Sequence, residues 1–263
     1  MRDIRKELGP LVDALPPITL EEMAAIRLMN RTDTKFVTDL PTLARLLEMV
    51  RGGYYAQQTC GHRISPYSTV YWDHGAEHAL FRAHLCGHRP RTKVRVRTYL
   101  DSGCSFLEVK KKDNHGTTHK TRVAVPSARA VLDEGAGAAF LEEQTGWHLS
   151  DVAPTLGNRF SRITLVNKAR TERLTIDFDL TFHNYETRAD ASVDNIAVIE
   201  LKRDGRAPSP ILDVLRRLRI KPAAFSKYCV GISLTDPALP QNRLKPRLRN
   251  IHKIATRQQS LHP

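Results

Sequence analysis

From Thr92 to Leu100 the chain reads TKVRVRTYL, in which cation and apolar residue alternate from Lys93 to Arg97. Successive side chains of a strand point to opposite faces, so Lys93, Arg95 and Arg97 share one face and Val94 and Val96 the other. The next segment, SFLEVKKK, sets Glu108, Lys110 and Lys112 opposite Leu107 and Val109. Asp101-Ser102-Gly103 between them is a turn-forming cluster, so the pattern predicts a β-hairpin. The same period of two marks RTDTKFVTD, STVYWDH, HKTRVAVP, NRFSRITLVNK, ERLTIDFDLTFHN and NIAVIELKR as further strands. In these strands Asp33 lies with Lys35, Lys120 with Arg122, Arg173 with Asp177 and Asp179, and Glu200 with Lys202.

Helical signals fall elsewhere. The first thirty residues read as helical, broken at Pro16-Pro17, with Thr19 as an N-cap and Glu21-Glu22 in the first turn that follows. PTLARLLEMVRGG reads as a short amphipathic helix, opened by Pro41 and closed by Gly52-Gly53. A helix is predicted over roughly Ala128 to Gln144, and another at ILDVLRRLRI, stopped by Lys221-Pro222. The tail from Pro240 onward is basic and low in apolar pattern, and is expected to be frayed or disordered. There is no internal repeat. The expected division is a helical segment 1–29, a sheet domain 30–235 and a flexible basic tail 236–263, of α+β class.

Charge alters this ordinary picture. Lys and Arg number 41 against 28 Asp and Glu, a net +13, which implies a polyanionic partner: nucleic acid, an anionic membrane surface or a phosphate-rich ligand. The 263 residues suffice for a sizeable core. Cys60, Cys86, Cys104 and Cys229 form no C-x-x-C pair, which argues against zinc and for a reducing compartment. No stretch has the make-up of a signal peptide or a membrane span, so the expectation is a cytoplasmic protein, able to meet a membrane through a partner. The sequence carries no signature of oligomeric state.

For any single strand, a charged face is most simply a solvated one. Across several strands the charges are mostly cations, and like charges on neighbouring strands repel. If the sheet closes with that face inward, it forms a basic tunnel, with a few carboxylates placed to hold a divalent cation. Arginine and lysine suit phosphate oxygens, and carboxylates suit magnesium or manganese. A barrel for single-stranded nucleic acid would interleave aromatic platforms with its cations. Aromatics are only 6% here and do not interleave, which argues against nucleic acid.

These segments resemble the catalytic domain of the vacuolar transporter chaperone (VTC) complex, the polyphosphate polymerase family within the triphosphate tunnel metalloenzyme superfamily. The resemblance rests on RTDTKFV, YSTVYWD, RTKVRVRTYLDSG, FLEVKKK, HKTRV, NRFSR, RLTIDFDL, IAVIELK and FSKYCVG, in that order, over roughly Asn30 to Ile232. It implies a closed, eight-stranded antiparallel barrel with a cationic interior and flanking helices. The implied reaction moves the γ-phosphate of ATP onto inorganic polyphosphate with Mn2+ or Mg2+. By position, Lys35, Arg95, Arg97, Lys110, Lys120, Arg159, Arg173 and Lys227 look like phosphate-binding cations. Lys93, Arg122 and Lys202 join them by facing the same way. Arg95, Arg97, Lys110 and Glu200 are the expected catalytic set. Glu200 looks like the main metal ligand, with Glu108 and Asp179 as secondary acids and Asp177 also facing the tunnel.

Two departures bear on the reaction. The wider superfamily begins with E-x-E-x-K, where this chain has Arg31-Thr32-Asp33-Thr34-Lys35. The shortened acidic motif weighs against the rival reading of a simple triphosphatase. In KPAAFSKY a second lysine expected three residues ahead of Lys227 is replaced by Ala224, with Lys221 as its possible substitute. A third reading is a non-catalytic polyphosphate binder on the same scaffold. Among residues left outside the site, His62, His74, His84 and His88 match no metal spacing, and Tyr71 and Trp72 read as packing residues.

Overall fold

A computed structural model describes residues 4–24, 26, 31–75, 77–126, 135–205 and 207–257. In chain order the elements are α1 (Ile4–Asp13), β1 (Pro17–Ile18), α2 (Leu20–Ala24), β2 (Arg31–Asp39), α3 (Leu40–Val50), β3 (Tyr54–Gln57), β4 (Ser65–His74), α4 (Ala79–Cys86), β5 (Arg91–Tyr99), β6 (Ser105–Lys112), β7 (Thr118–Val125), α5 (Ala136–Thr145), β8 (Val152–Asn167), β9 (Glu172–Asn184), β10 (Asp190–Val193), β11 (Ile196–Asp204), α6 (Pro210–Arg217), α7 (Lys227–Thr235) and α8 (Lys245–Ala255).

The predicted turn chemistry forms as expected. Thr19 and Glu22 make a reciprocal cap, Glu22 N–H donating to Thr19 Oγ1 and Thr19 N–H to Glu22 Oε2. Asp39 accepts from the amide of Thr42 at 2.8 Å and so starts α3. The β5–β6 hairpin sets Arg95 opposite Glu108 and Val96 opposite Leu107, with Gly103 at φ +69° in the turn. The predicted helix over 128–144 begins at Ala136; 128–134 lie outside the described residues, as do 27–30 and 258–263.

The main sheet runs β2-β11-β9-β8-β4-β5-β6-β7, and its neighbouring strands are antiparallel. One face is apolar. Phe36, Ile163, Leu165, Leu174, Ile176, Ile199 and Leu201 pack there with Leu43, Leu47 and Leu215 of α3 and α6. Val94, Val96, Leu107 and Val109 continue that face against Leu141 of α5. The opposite face is concave and charged. Lys35 on β2 donates to Phe225 C=O at 2.9 Å and Lys93 on β5 lies 6.0 Å from the ring centre of Tyr228, three residues along, although four strands separate the two lysines in the sheet order. In a flat sheet five strand spacings would hold them roughly 24 Å apart, so the sheet is strongly curled.

The curl stops short of a closed barrel. Among the described residues, β7 pairs only with β6 and β2 only with β11, so no hydrogen-bonded ladder joins the two edges. Both edges are of the kind that resists pairing. β7 carries Lys120 and Arg122 and is exposed from Thr118 to Arg122. The free edge of β2 is taken by the segment at Pro222-Ala223, where Ala223 N–H donates to Lys35 C=O at 2.8 Å.

The segment expected to be a frayed tail contains α8, whose Ile251 and Ile254 join a core with Val37, Val198 and α7. Helix α7 carried no amphipathic signal because it is buried nearly all round, from Tyr228 to Ser233. It rests on the concave side of β8 and β9 at Gly231, where a Cβ would come within 2.5 Å of both Leu156 and Phe182 side chains. Glycine is required there by this close approach.

Candidate functional site

Three carboxylates rise from the concave face, and each is held between two cations. Glu108 on β6, with no exposed side-chain surface, accepts from Arg95 Nη2 at 2.6 Å and Nε at 2.7 Å, and pairs with Lys120 from β7. Asp177 on β9 receives the fork of Arg162 on β8, and Lys227 at the start of α7. Glu200 on β11 pairs with Lys202, two residues along the same face, and lies 3.8 Å from Lys35 on β2. Lys35 also donates to the carbonyl of Phe225 at 2.9 Å, which ties the segment before α7 to the sheet.

The electrostatics follow from this pairing. Burial alone would raise all three carboxyl groups, but the cations outweigh it. Arg95, Arg97 and Lys120 hold Glu108 at about 2, and Lys202, Lys35 and Arg162 hold Glu200 at about 2. Arg162 and Lys227 hold Asp177 well below the usual carboxylate range. The carboxylates are therefore ionised and paired, Glu108 and Asp177 tightly and Glu200, the most exposed of the three, more openly.

Three further cations stand outside these clamps. Burial, with help from Arg95, Lys35 and Lys110, pushes Lys93 down to about 7, although Cys229 works the other way. Its ammonium lies 5.8 Å from the ring centre of Tyr71 and 6.0 Å from that of Tyr228. Burial and Arg95 likewise bring Lys110 down to about 7. Arg97 is lowered to about 10 by burial and by the neighbouring Arg95 and Arg162, and its Nε is buried with no hydrogen-bond partner. The concave face thus holds more positive charge than its own carboxylates compensate.

Not every predicted residue lies in this group. Arg159 is exposed, and Arg162, absent from the expected set, occupies the concave face in its place. Alternation along β8 already sets Arg159 on the side of Ile163 and Leu165, against Phe160 and Arg162; the register shift opposite Arg159 to Ser161 lies in β9, which gains a residue there. The same irregularity moves Asp179 away from Asp177. Asp179 has φ +54°, is exposed, and accepts from Ser161 Oγ at 3.2 Å. Phe178 faces the outer core and Leu180 the inner one, so the period of two breaks at Asp179. Arg173 stands level with Lys202 but donates to the carbonyl of Met23, anchoring the N-terminal segment. Arg122 lies on the face of Glu108, yet its guanidinium stacks on Phe106, 4.6 Å from the ring centre.

This donor set limits what metal could bind. Among the described residues no three His, Cys, Asp or Glu side chains converge. Glu108 has no exposed surface and Asp179 lies off the concave face, so neither joins Glu200 in a metal site. The Glu200 side chain is 28% exposed within the concave face. Magnesium and manganese commonly take one or two protein carboxylates and complete their shell with water and phosphate oxygens. Glu200 fits that role as a single carboxylate.

A family profile for the VTC domain matches residues 30–235. No curated protein matches the chain. Among solved structures, a protein from Hippeastrum, described as revealing a dominant triphosphatase activity, aligns at 14% identity and TM-score 0.47, covering 81% of this chain and 99% of its own. A candidate adenylate cyclase from Vibrio parahaemolyticus aligns at 10% identity and TM-score 0.44, covering 79% of this chain and 99% of its own. Another from Bacillus halodurans aligns at 11% identity and TM-score 0.44, covering 75% and 96%.

Proposed function

The chain belongs to the VTC domain family, and from that premise we propose that it is an ATP-dependent polyphosphate polymerase. The observation that carries this reading is the uncompensated charge of the concave face. Glu108, Asp177 and Glu200 are each taken by two cations, while Lys93, Arg97 and Lys110 stand outside those pairs. A chain of phosphates supplies the missing negative charge at regular intervals, as an isolated anion does not.

In this reading Lys35, Lys93, Lys120, Lys202 and Lys227 hold the phosphates of donor and acceptor, and the paired arginines, Arg162 included, orient them. Arg95, Arg97 and Lys110 stabilise charge on the transferring γ-phosphoryl group. An oxygen of the terminal phosphate of the acceptor forms the new P–O bond as the β–γ bridge of ATP breaks, and ADP leaves with the bridging oxygen. The attacking oxygen is already anionic, so no strong general base and no covalent nucleophile are needed. Positioning and fixed charge supply the rate enhancement. Glu200 would hold Mn2+ or Mg2+, whose positive charge would offset the charge on the transferring phosphoryl group.

The catalytic unit is assigned to 30–235, working in the cytoplasm on ATP and inorganic polyphosphate and able to hand its product to a membrane-protein partner. No helix among the described residues is long and apolar enough to cross a membrane. The test is incubation of the purified chain with ATP and manganese, scored separately for long-chain polyphosphate and free phosphate, with Glu200→Ala beside it. Polymer that is lost in the variant supports the reading. Free phosphate without polymer makes the protein a triphosphatase, and tight polyphosphate binding with neither product makes it a binder.

A further inference from the structure

From the first turn of α7 outward, the concave face carries a row of aromatic rings. Phe160 stacks on Tyr67, with ring centres 5.3 Å apart and planes 12° from parallel. Tyr67 leans on Tyr99 at 5.1 Å, and Tyr99 meets Phe106 edge-on at 6.0 Å. Cations lie on the inner members: Arg162 on Tyr67 at 4.9 Å and Lys227 on Phe160 at 4.5 Å. These cations are committed to Asp177. The outermost pair differs. Phe106 is opposite Arg97 on β5, so it faces the phosphate side of the sheet. Arg122 comes from β7, the free edge, is exposed, and lays its guanidinium over Phe106. Glu108, its cross-strand neighbour, is already taken by Arg95 and Lys120.

We propose that the Phe106–Arg122 stack is a nucleobase subsite, which takes the purine of the triphosphate donor on the outer face of the guanidinium. This rests on the reading of the concave face as a triphosphate site. Aromatic rings and guanidinium planes are the usual platforms for bases, because every base offers a π-face to them. With its carbon 4.6 Å over the Phe106 ring centre, the exposed Arg122 guanidinium has one side covered and the other open to a second ring. The position also fixes polarity. Arg97 lies directly across from Phe106, with Arg95 and Lys93 following at two-residue intervals, each roughly 7 Å further by the rise of a strand. A nucleotide with its base on Arg122 runs its phosphates along those three cations. Polyphosphate, which has no base, leaves the stack empty.

The test compares ATP with inorganic tripolyphosphate, by calorimetry on the full chain. Arg122→Lys keeps the charge and removes the plane, and Phe106→Leu removes the ring beneath it. The expected result for each variant is an ATP affinity lower by about fivefold or more, with tripolyphosphate changed by less than about twofold. Equal losses for both ligands would make Arg122 an ordinary phosphate contact and overturn the subsite. Unchanged ATP binding in Arg122→Lys would also overturn it, and this exposed position does not depend on Phe106→Leu folding. If the unaltered protein binds neither ligand, the triphosphate reading fails and the subsite with it.

Discussion

Arg162 grips Asp177 with both arms of its guanidinium, Nε donating to Oδ1 at 2.6 Å and Nη2 to Oδ2 at 2.8 Å. Lys227 takes the same carboxylate from the other side, so β8, β9 and the first turn of α7 meet at one buried anion. Removing that anion leaves two buried cations facing each other. Breaking a buried pair by removing one partner costs about 3–5 kcal/mol. Asp177→Asn is therefore expected to lower the urea unfolding free energy by about that amount. A loss below about 1 kcal/mol would mean that water or other groups already satisfy the two cations.

A second prediction concerns pH. Lys93 lies at about 7 in the ligand-free protein, well below the ordinary lysine value, because burial penalises its charged form. The groups facing it are Arg95 on its own strand, Lys35, Lys110, Cys229, Tyr71, Tyr228 and His84. A bound phosphate favours the ammonium and raises its pKa, so the protonated form is the one that binds. Polyphosphate affinity is then greatest below pH 7 and declines as pH rises above it, by at most about tenfold per unit from this one group. Lys93→Met should flatten that decline in calorimetric titrations with long-chain polyphosphate, whose inner phosphates do not titrate in this range. Parallel pH profiles for the two proteins would exclude Lys93 from the site. In the ligand-free protein the sign is opposite. The unfolded chain binds more protons between about pH 7 and 10.4, so the Lys93 contribution favours folding as pH rises through that window.

Gly231 gives a prediction about the fold. Alanine in a helix interior normally gains about 1 kcal/mol over glycine. Here the added methyl would meet Leu156 and Phe182 at 2.5 Å, and overpacking a core costs about 1–3 kcal/mol. Gly231→Ala is expected to destabilise on balance, seen as a lower thermal midpoint. A raised midpoint would mean that α7 sits further from β8 and β9.

Much of this was legible in the sequence because a strand declares its two faces. Arg95, Glu108, Lys110, Lys120 and Lys202 lie where simple alternation puts them, and Val94, Val96, Leu107 and Val109 lie behind them. Alternation fails where the backbone gains a residue. The extra residue of β9 opposite Arg159 to Ser161, at Asp179 with its positive φ, reverses the faces of β9 and removes Asp179 from the concave side. Arg162 needs no irregularity: alternation in NRFSRITLV sets it opposite Ile163 and Leu165, with Arg159 on their side, but Phe160 on the charged side is as apolar as a core residue and masks the pattern. The closed barrel was also over-read. A cationic face invites closure, but whether two edges pair depends on the edges themselves, and those of β2 and β7 are charged or already occupied. Buried helices such as α7 are invisible to periodicity, and α8 packs through few apolar residues within a basic stretch.

The most direct measurement is the affinity of long-chain polyphosphate for the unaltered protein and for Arg97→Ala and Arg159→Ala. Arg97 lies outside the three carboxylate clamps, so removing it strands no partner, whereas Arg159 is exposed on the other face of β8. A lost charge-assisted hydrogen bond is worth about 1.5–3 kcal/mol, so Arg97→Ala is expected to weaken binding by about tenfold or more, while Arg159→Ala stays within about twofold of the unaltered protein. Equal effects of the two substitutions, or no effect of Arg97→Ala, would contradict the assignment of the concave face as the phosphate site.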